Sequence, residues 1–143
     1  FTTLQDILQS EQEVDDSFYI TNKEDIERWK YLKGGKKEKR KTKSGFEFDY
    51  SEGSMTFPDK LDAPSRTIVT GEGGSSPSRF KHVVEVNGKL RRLTPVELER
   101  LNMFPDNHTD LFSDTKRAFF MGNALVVGVV DKLGKAIADF HYQ

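Results

Sequence analysis

The apolar positions of this chain follow two different periods. Toward the C-terminus the spacing is helical: Leu98 and Leu101 share one face with Val96 nearby, and Val126, Val130, Leu133, Ile137 and Phe140 recur along Leu125 to Phe140. Thr94 stands as an N-cap, Pro95 occupies the first helical position where its missing N–H costs nothing, and Glu97 completes a capping box, so a helix begins at Pro95. It stops before Phe104-Pro105-Asp106. Gly122-Asn123 reads as the turn that precedes the last, longer helix, and Ser113-Asp114 caps a short helix holding Lys116, Arg117, Phe119 and Phe120.

The first half reads differently. Thr21 or Asn22 caps a helix from Lys23 to Leu32, with Glu24 and Asp25 in its first turn, Ile26 and Trp29 on its packed side, and Gly34-Gly35 at its end. Trp29, at helical spacing from Ile26 and Leu32, reads as a core anchor rather than a stacking platform. Gly45 to Tyr50 alternates aromatic and acidic residues and predicts a strand whose Phe46, Phe48 and Tyr50 face is buried; Met55-Thr56-Phe57 is a candidate to pair back. Asn87-Gly88, between Lys81–Val86 and Lys89-Leu90-Arg91, predicts a type I′ hairpin turn.

Composition narrows the chemistry. The 143 residues hold 35% hydrophobic and 31% charged side chains, one domain's worth of soluble-type sequence with no stretch as long as a membrane span and no signal peptide in Phe1-Thr2-Thr3-Leu4. No cysteine is present, which excludes disulfides and thiolate metal sites and suits a cytoplasmic protein. His82, His108 and His141 are scattered without a partner set, so no metal is expected. The net charge is only −1, but it is segregated: eight carboxylates against Lys23 up to Glu27, then seven basic residues against Glu38 from Lys33 to Lys43. The run from Lys36 to Lys43 is expected to be a loop, either bare solvated surface or a track along phosphates in which Lys36, Lys37, Lys39, Arg40, Lys41 and Lys43 supply sequence-independent attraction.

Two blocks then carry a resemblance. RRLTPVELERLNMFPD, from Arg91 to Asp106, and MGNALVVGVV, from Met121 to Val130, resemble the last two motifs of the DNA cytosine-5 methyltransferases. Upstream, PSRTIVTGEGGSSPSRFKHVVEVNGK is similar to the second half of that family's target-recognition domain. The resemblance makes Thr67–Thr70 a β-branched strand, Gly71 to Arg79 a glycine-rich loop and Lys81 to Val86 the returning strand. Glycines let backbone approach a groove edge, and serines and arginine offer donors to it. Leu4-Gln5-Asp6-Ile7-Leu8 resembles the linker by which these enzymes leave their catalytic domain. Departures are small: Leu125 stands where valine is usual and Met103 where glycine often precedes the aromatic.

The resemblance implies an α+β fold: residues 1–22 a linker, 23–90 a small antiparallel β target-recognition domain, and 91–143 C-terminal helices that complete an α/β methyltransferase domain. It implies that Gly122, Asn123 and Ala124 reach S-adenosylmethionine in the full enzyme. Thr67, Gly71, Gly73, Gly74, Ser75, Ser76 and Arg79 would face DNA, and Arg91, Thr94, Glu97 and Arg100 would orient the two domains. The family flips a cytosine, attacks it with a cysteine thiolate and methylates C5; with no cysteine these residues provide no catalytic group. The implied partners are double-stranded DNA and a catalytic region, N-terminal in the same polypeptide or a separate subunit of a split enzyme. A standalone noncatalytic nucleic-acid-binding module is the other reading. Without catalytic neighbours the stripe from Val126 to Phe140 is expected to fold back on the Pro95 helix, be disordered, or pair with its copy in a homodimer.

Overall fold

The computed structural model describes residues 2–141; Phe1, Tyr142 and Gln143, at the ends of the expected linker and of the C-terminal helical segment, lie outside the described residues. The architecture is α+β. A short helix α1 (Leu4–Ile7), two 3-10 turns (Glu11–Glu13 and Asp16–Phe18) and α2 (Lys23–Lys33) lead into two separate antiparallel hairpins, β1 (Lys36–Lys41) with β2 (Glu47–Glu52) and β3 (Val83–Val86) with β4 (Lys89–Arg92). Three helices follow: α3 (Pro95–Leu101), α4 (Asp114–Asn123) and α5 (Val127–His141).

The core lies between α1, the β3–β4 hairpin, α3 and α4, where Leu4, Ile7, Val84, Leu93, Leu98, Ala118 and Met121 close on one another. α3 starts as its sequence requires: the Thr94 hydroxyl accepts the Glu97 N–H at 3.2 Å and the Glu97 carboxylate accepts the Thr94 N–H at 2.9 Å. The Asn87-Gly88 turn has φ of 49° and 76°, the two left-handed residues a type I′ turn needs. α2 is capped by the Asn22 side chain on Glu24 N–H at 2.9 Å. Trp29 is 1% exposed, so it anchors the core, while Ile26 is only half-buried.

Several expectations change. The basic run is a strand rather than a loop, because β2 offers it a full ladder partner: Lys37 lies opposite Ser51, Lys39 opposite Asp49 and Lys41 opposite Glu47. The aromatic face of β2 is not core. Phe46 is 68% and Phe48 39% exposed, since no apolar layer covers the ribbon, and Tyr50 is shielded instead by the Arg40 guanidinium 3.4 Å from its ring centre.

Thr67–Thr70 forms no strand. Its backbone lies against α4, where a side chain on Gly122 would collide with Val69 and Thr70, and it has no neighbouring strand to pair with. The returning strand is shorter than expected, Val83–Val86, because Lys81 and His82 are engaged by the preceding loop. Met55 makes no strand; its N–H donates to Lys33 O at 2.8 Å. Gly122-Asn123 ends α4 rather than forming a turn, and α5 buries none of its residues: Val130 is 47%, Leu133 59% and Phe140 81% exposed.

Candidate functional site

The block that opens α3 works as a clamp. Arg91 and Glu97, both fully buried, form a two-pronged ion pair at 2.8 and 2.7 Å. The same carboxylate accepts the Gln9 N–H at 2.9 Å, and the Thr94 hydroxyl donates to the Gln9 side chain at 2.5 Å. Arg100 donates to the carbonyls of Ile7 and Leu8 at 3.1 and 3.2 Å and pairs with Asp106 at 2.6 Å, an ion pair that holds the Asp106 carboxyl below its ordinary range. Thr94, Glu97 and Arg100 therefore bind the N-terminal segment to α3, and Arg91 holds the Glu97 carboxylate in place.

A cleft of about 340 Å³ opens where the ends of α3 and α4 meet, lined among others by Thr67, Ile68, Asn102, Met121, Gly122 and Ala124. Thr67, expected to face DNA, and Gly122 and Ala124, expected to face the cofactor, thus line the same cleft. Asn102 fixes the corner: its side-chain amide donates to Met121 O at 2.9 Å, and its carbonyl accepts the Val127 N–H at 2.9 Å. Asn123 is exposed on the last turn of α4, with its side-chain N–H₂ on Phe119 O at 2.9 Å. Its amide oxygen has no protein donor among the described residues.

The glycine-rich loop is built as much for packing as for approach. A Cβ on Gly73 would stand 2.8 Å from Thr115 Cα, so the loop presses directly on α4, and Gly74 takes a left-handed φ of 78°. Lys81 Nζ donates to Gly74 O and Ser76 O at 2.9 Å each, and Arg92 donates to Gly74 O at 3.0 Å. Ser75, Ser76 and Gly71 remain exposed. Arg79 turns inward: its guanidinium donates to the carbonyls of Leu32, Gly34 and Gly53 and to Glu52, stapling the loop to the root of the β1–β2 ribbon.

The ladder sorts the basic run by face. Lys36 and Arg40 share a side with Tyr50 and Glu52 and are engaged there, Lys36 with Glu52 at 3.6 Å and Arg40 with Glu38 at 2.5 Å. Lys37, Lys39 and Lys41 point to the other side, and Lys43 lies in the turn. Only Lys41 of these four has an ion-pair partner among the described residues, Glu47 at 3.6 Å.

Three buried polar clusters escape the sequence patterns. His82, expected to lack partners, is fully buried with Nδ1 at 3.0 Å from Glu72 and Nε2 at 3.1 Å from the Ser65 hydroxyl. Asp59 gathers Lys33, Arg66 and the Val83 N–H. Burial alone would raise its carboxyl, but the Arg66 and Val83 hydrogen bonds and the Lys33 charge outweigh it and leave it below the ordinary range. Glu99, wholly buried, is likewise desolvated, yet the Thr109 hydrogen bonds and Arg117 at 3.0 Å hold it low. Such ionic clusters have no hydropathy signature; only the pairing of opposite charges far apart in sequence would have given them away. Among the described residues no group of three or more His, Asp or Glu converges as a metal site, and no helix is long and apolar enough to cross a membrane.

The profile described as C-5 cytosine-specific DNA methylase matches residues 2–139. The chain belongs to that family. It is 47% identical over 135 residues to the Type II methyltransferase M.Sau3AI of Staphylococcus aureus, a match covering 94% of this chain and 32% of that protein. The chain therefore spans about a third of the length of this relative, and its own 143 residues include no cysteine.

Proposed function

We propose that this chain supplies DNA target recognition and one wall of the S-adenosylmethionine pocket to a DNA cytosine-5 methyltransferase that methylates a flipped cytosine at a specific duplex site, and that it is inactive alone. The observation that carries this reading is the shared cleft, which Thr67 lines together with Gly122 and Ala124. S-adenosylmethionine, when bound, supplies the electrophilic methyl group. The residues present fit one side of it: the exposed Asn123 amide and the backbone at Gly122 and Ala124, with Gly122 kept bare by its contact with Val69 and Thr70.

The remaining work falls to a catalytic region, in the same polypeptide or in a separate cytoplasmic subunit. That region contributes the cysteine and the rest of the pocket. This chain's share is to hold the duplex and to orient it: the exposed serines of the 71–79 loop and the lysines of β1 approach DNA, while Arg91, Thr94, Glu97 and Arg100 keep the recognition body in register with the helices.

The test is direct. The isolated chain, incubated with duplex DNA and radiolabelled S-adenosylmethionine, leaves no label in cytosine, and titration calorimetry shows no cofactor binding. A chimera in which this chain replaces the matching third of the Staphylococcus methyltransferase transfers label, and Asn123→Ala in that chimera raises the cofactor requirement. Label transfer by the chain alone overturns the division of labour, and an Asn123→Ala chimera with unchanged cofactor binding moves the pocket elsewhere.

A further inference from the structure

Residues 65–72 run from the cleft to the glycine-rich loop without helix or strand. Among the described residues their single backbone–backbone hydrogen bond is the Glu72 N–H on Val69 O at 3.0 Å. No ladder fixes this segment, so its place depends on side chains. It nevertheless carries Thr67, exposed and expected to face DNA, and the Val69-Thr70 backbone that presses on Gly122. A stretch with so few bonds of its own holds one course only if its ends are tied.

His82 ties them. Its fully buried imidazole turns one nitrogen to each end: Nδ1 is 3.0 Å from the Glu72 carboxylate and Nε2 is 3.1 Å from Ser65 Oγ. The Glu72 end is held twice, because the same carboxylate oxygen accepts the His82 N–H at 2.5 Å, while its other oxygen has no partner among the described residues. At the Ser65 end the imidazole is the one link to a distant part of the chain, since the hydroxyl's other neighbour is Arg66 O at 2.7 Å. Arg66 also pairs with Asp59 at 2.8 Å, but through a long side chain that lets the backbone shift. Ser65 Oγ lies one bond from Cβ, so its hydrogen bond fixes the backbone itself. His82 is anchored in turn, for the Val83 N–H that follows it donates to Asp59 at 2.9 Å.

We propose that His82 is a positioning residue for duplex binding: it draws Ser65 toward Glu72, closes residues 65–72 into a loop and so sets the Thr67 hydroxyl for a DNA phosphate. This rests on the DNA-recognition reading above and goes beyond it by naming what holds the contact. A hydroxyl serves a phosphate only at hydrogen-bond length and in line, and the interaction weakens steeply away from that geometry. Untied at Ser65, the segment keeps its Glu72 end and loses the fixed height of Thr67. Contacts of this kind position a duplex without reading it, so the effect is the same on any sequence.

The chain is titrated into a fluorescent duplex of randomised sequence, and anisotropy is read at several salt concentrations. Thr67→Val keeps the branched shape without the hydroxyl and weakens binding about tenfold, the scale of one hydrogen bond to a charged group. The slope of log affinity against log salt stays as it was, because no cation is lost. Ser65→Ala weakens binding by a similar factor. So does His82→Asn, whose amide reaches the Nδ1 position and falls short of Ser65. His82→Gln reaches the Nε2 position with both a donor and an acceptor and restores the affinity. In the Thr67→Val background Ser65→Ala has no further effect, since the group it positioned is gone.

Ser65 is only half-buried, so Ser65→Ala keeps the parent's circular dichroism and decides the matter even where a change at His82 unfolds the chain. Ser65→Ala binding as the parent does, while Thr67→Val is weakened, overturns the role of His82 and leaves the recognition reading standing. An equal loss from Ser65→Ala with and without the Thr67 hydroxyl makes Ser65 itself the contact and overturns it too, as does a folded His82→Gln variant no better than His82→Asn. Thr67→Val binding as the parent does takes Thr67 out of the interface and the proposal with it. No duplex binding by the parent at low salt overturns the recognition reading and the proposal together.

Discussion

At the scale of single residues, the clamp and the glycines decide most. Glu97→Ala leaves Arg91 buried without its carboxylate, and loss of one partner of a buried pair costs about 3–5 kcal/mol; urea unfolding of the variant measures it directly. Gly122→Ala forces a methyl into the Val69-Thr70 backbone and is expected to cost about 1–3 kcal/mol, whereas Gly53→Ala, with nothing within 4 Å, leaves the urea midpoint almost unchanged. Acid acts on the same scale. Asp59 and Glu99 have folded pKa values below their unfolded ones, so folding favours their charged forms. Their contribution is complete above about pH 5 and is lost as pH falls through the lowered folded values. Thermal melts from pH 7 to pH 2 show the decline beginning near about pH 5, and Glu99→Gln, already lacking the charge, shows a shallower one.

At the scale of elements, local chemistry was legible where it was self-contained. The capping box of α3, the Asn22 cap of α2 and the Asn87-Gly88 turn each depend on residues within four positions of one another, and each formed as written. What escaped depended on distant neighbours. Thr67–Thr70 has strand-type residues but no strand beside it, and Phe46, Phe48 and Tyr50 alternate as a half-buried strand does while no layer exists to bury them. In the site, Arg91, Thr94, Glu97 and Arg100 could be singled out from their block, but Arg79's inward turn and the Glu72–His82–Ser65 cluster join residues up to 47 positions apart and left no local trace. α5 lies between these cases: its period is plain, its partner is not. With Val129, Val130, Leu133 and Ile137 all about half exposed or more, the wild-type chain is expected to gain apparent mass with concentration in sedimentation equilibrium, and Val130→Asp to hold it at the monomer. A monomer at every concentration would mean that α5 makes no contact of its own.

At the scale of the whole molecule, the core ties the beginning of the chain to its last third. Leu4 N–H and Gln5 N–H donate to the carbonyls of Ala63 and Leu61 at 3.0 Å, and Gln9 sits in the clamp of α3, so the intervening chain runs out from this centre and comes back to it. The ribbon repeats that pattern on a smaller radius. It departs at Lys33 and returns at Met55, two residues joined by a single backbone hydrogen bond, and none of its side chains enters the core cluster. Closing a loop costs only about 0.6 kcal/mol for each doubling of its length. An arm that starts and ends at one point can therefore be shortened, lengthened or exchanged for another while the scaffold beneath it stays as it is. Excising residues 36–52 and joining Gly35 to Gly53 should leave the unfolding free energy from urea titration within about 1 kcal/mol of the parent. The ribbon is thus the place where this protein best tolerates insertions and deletions, because its length can change without refolding the rest.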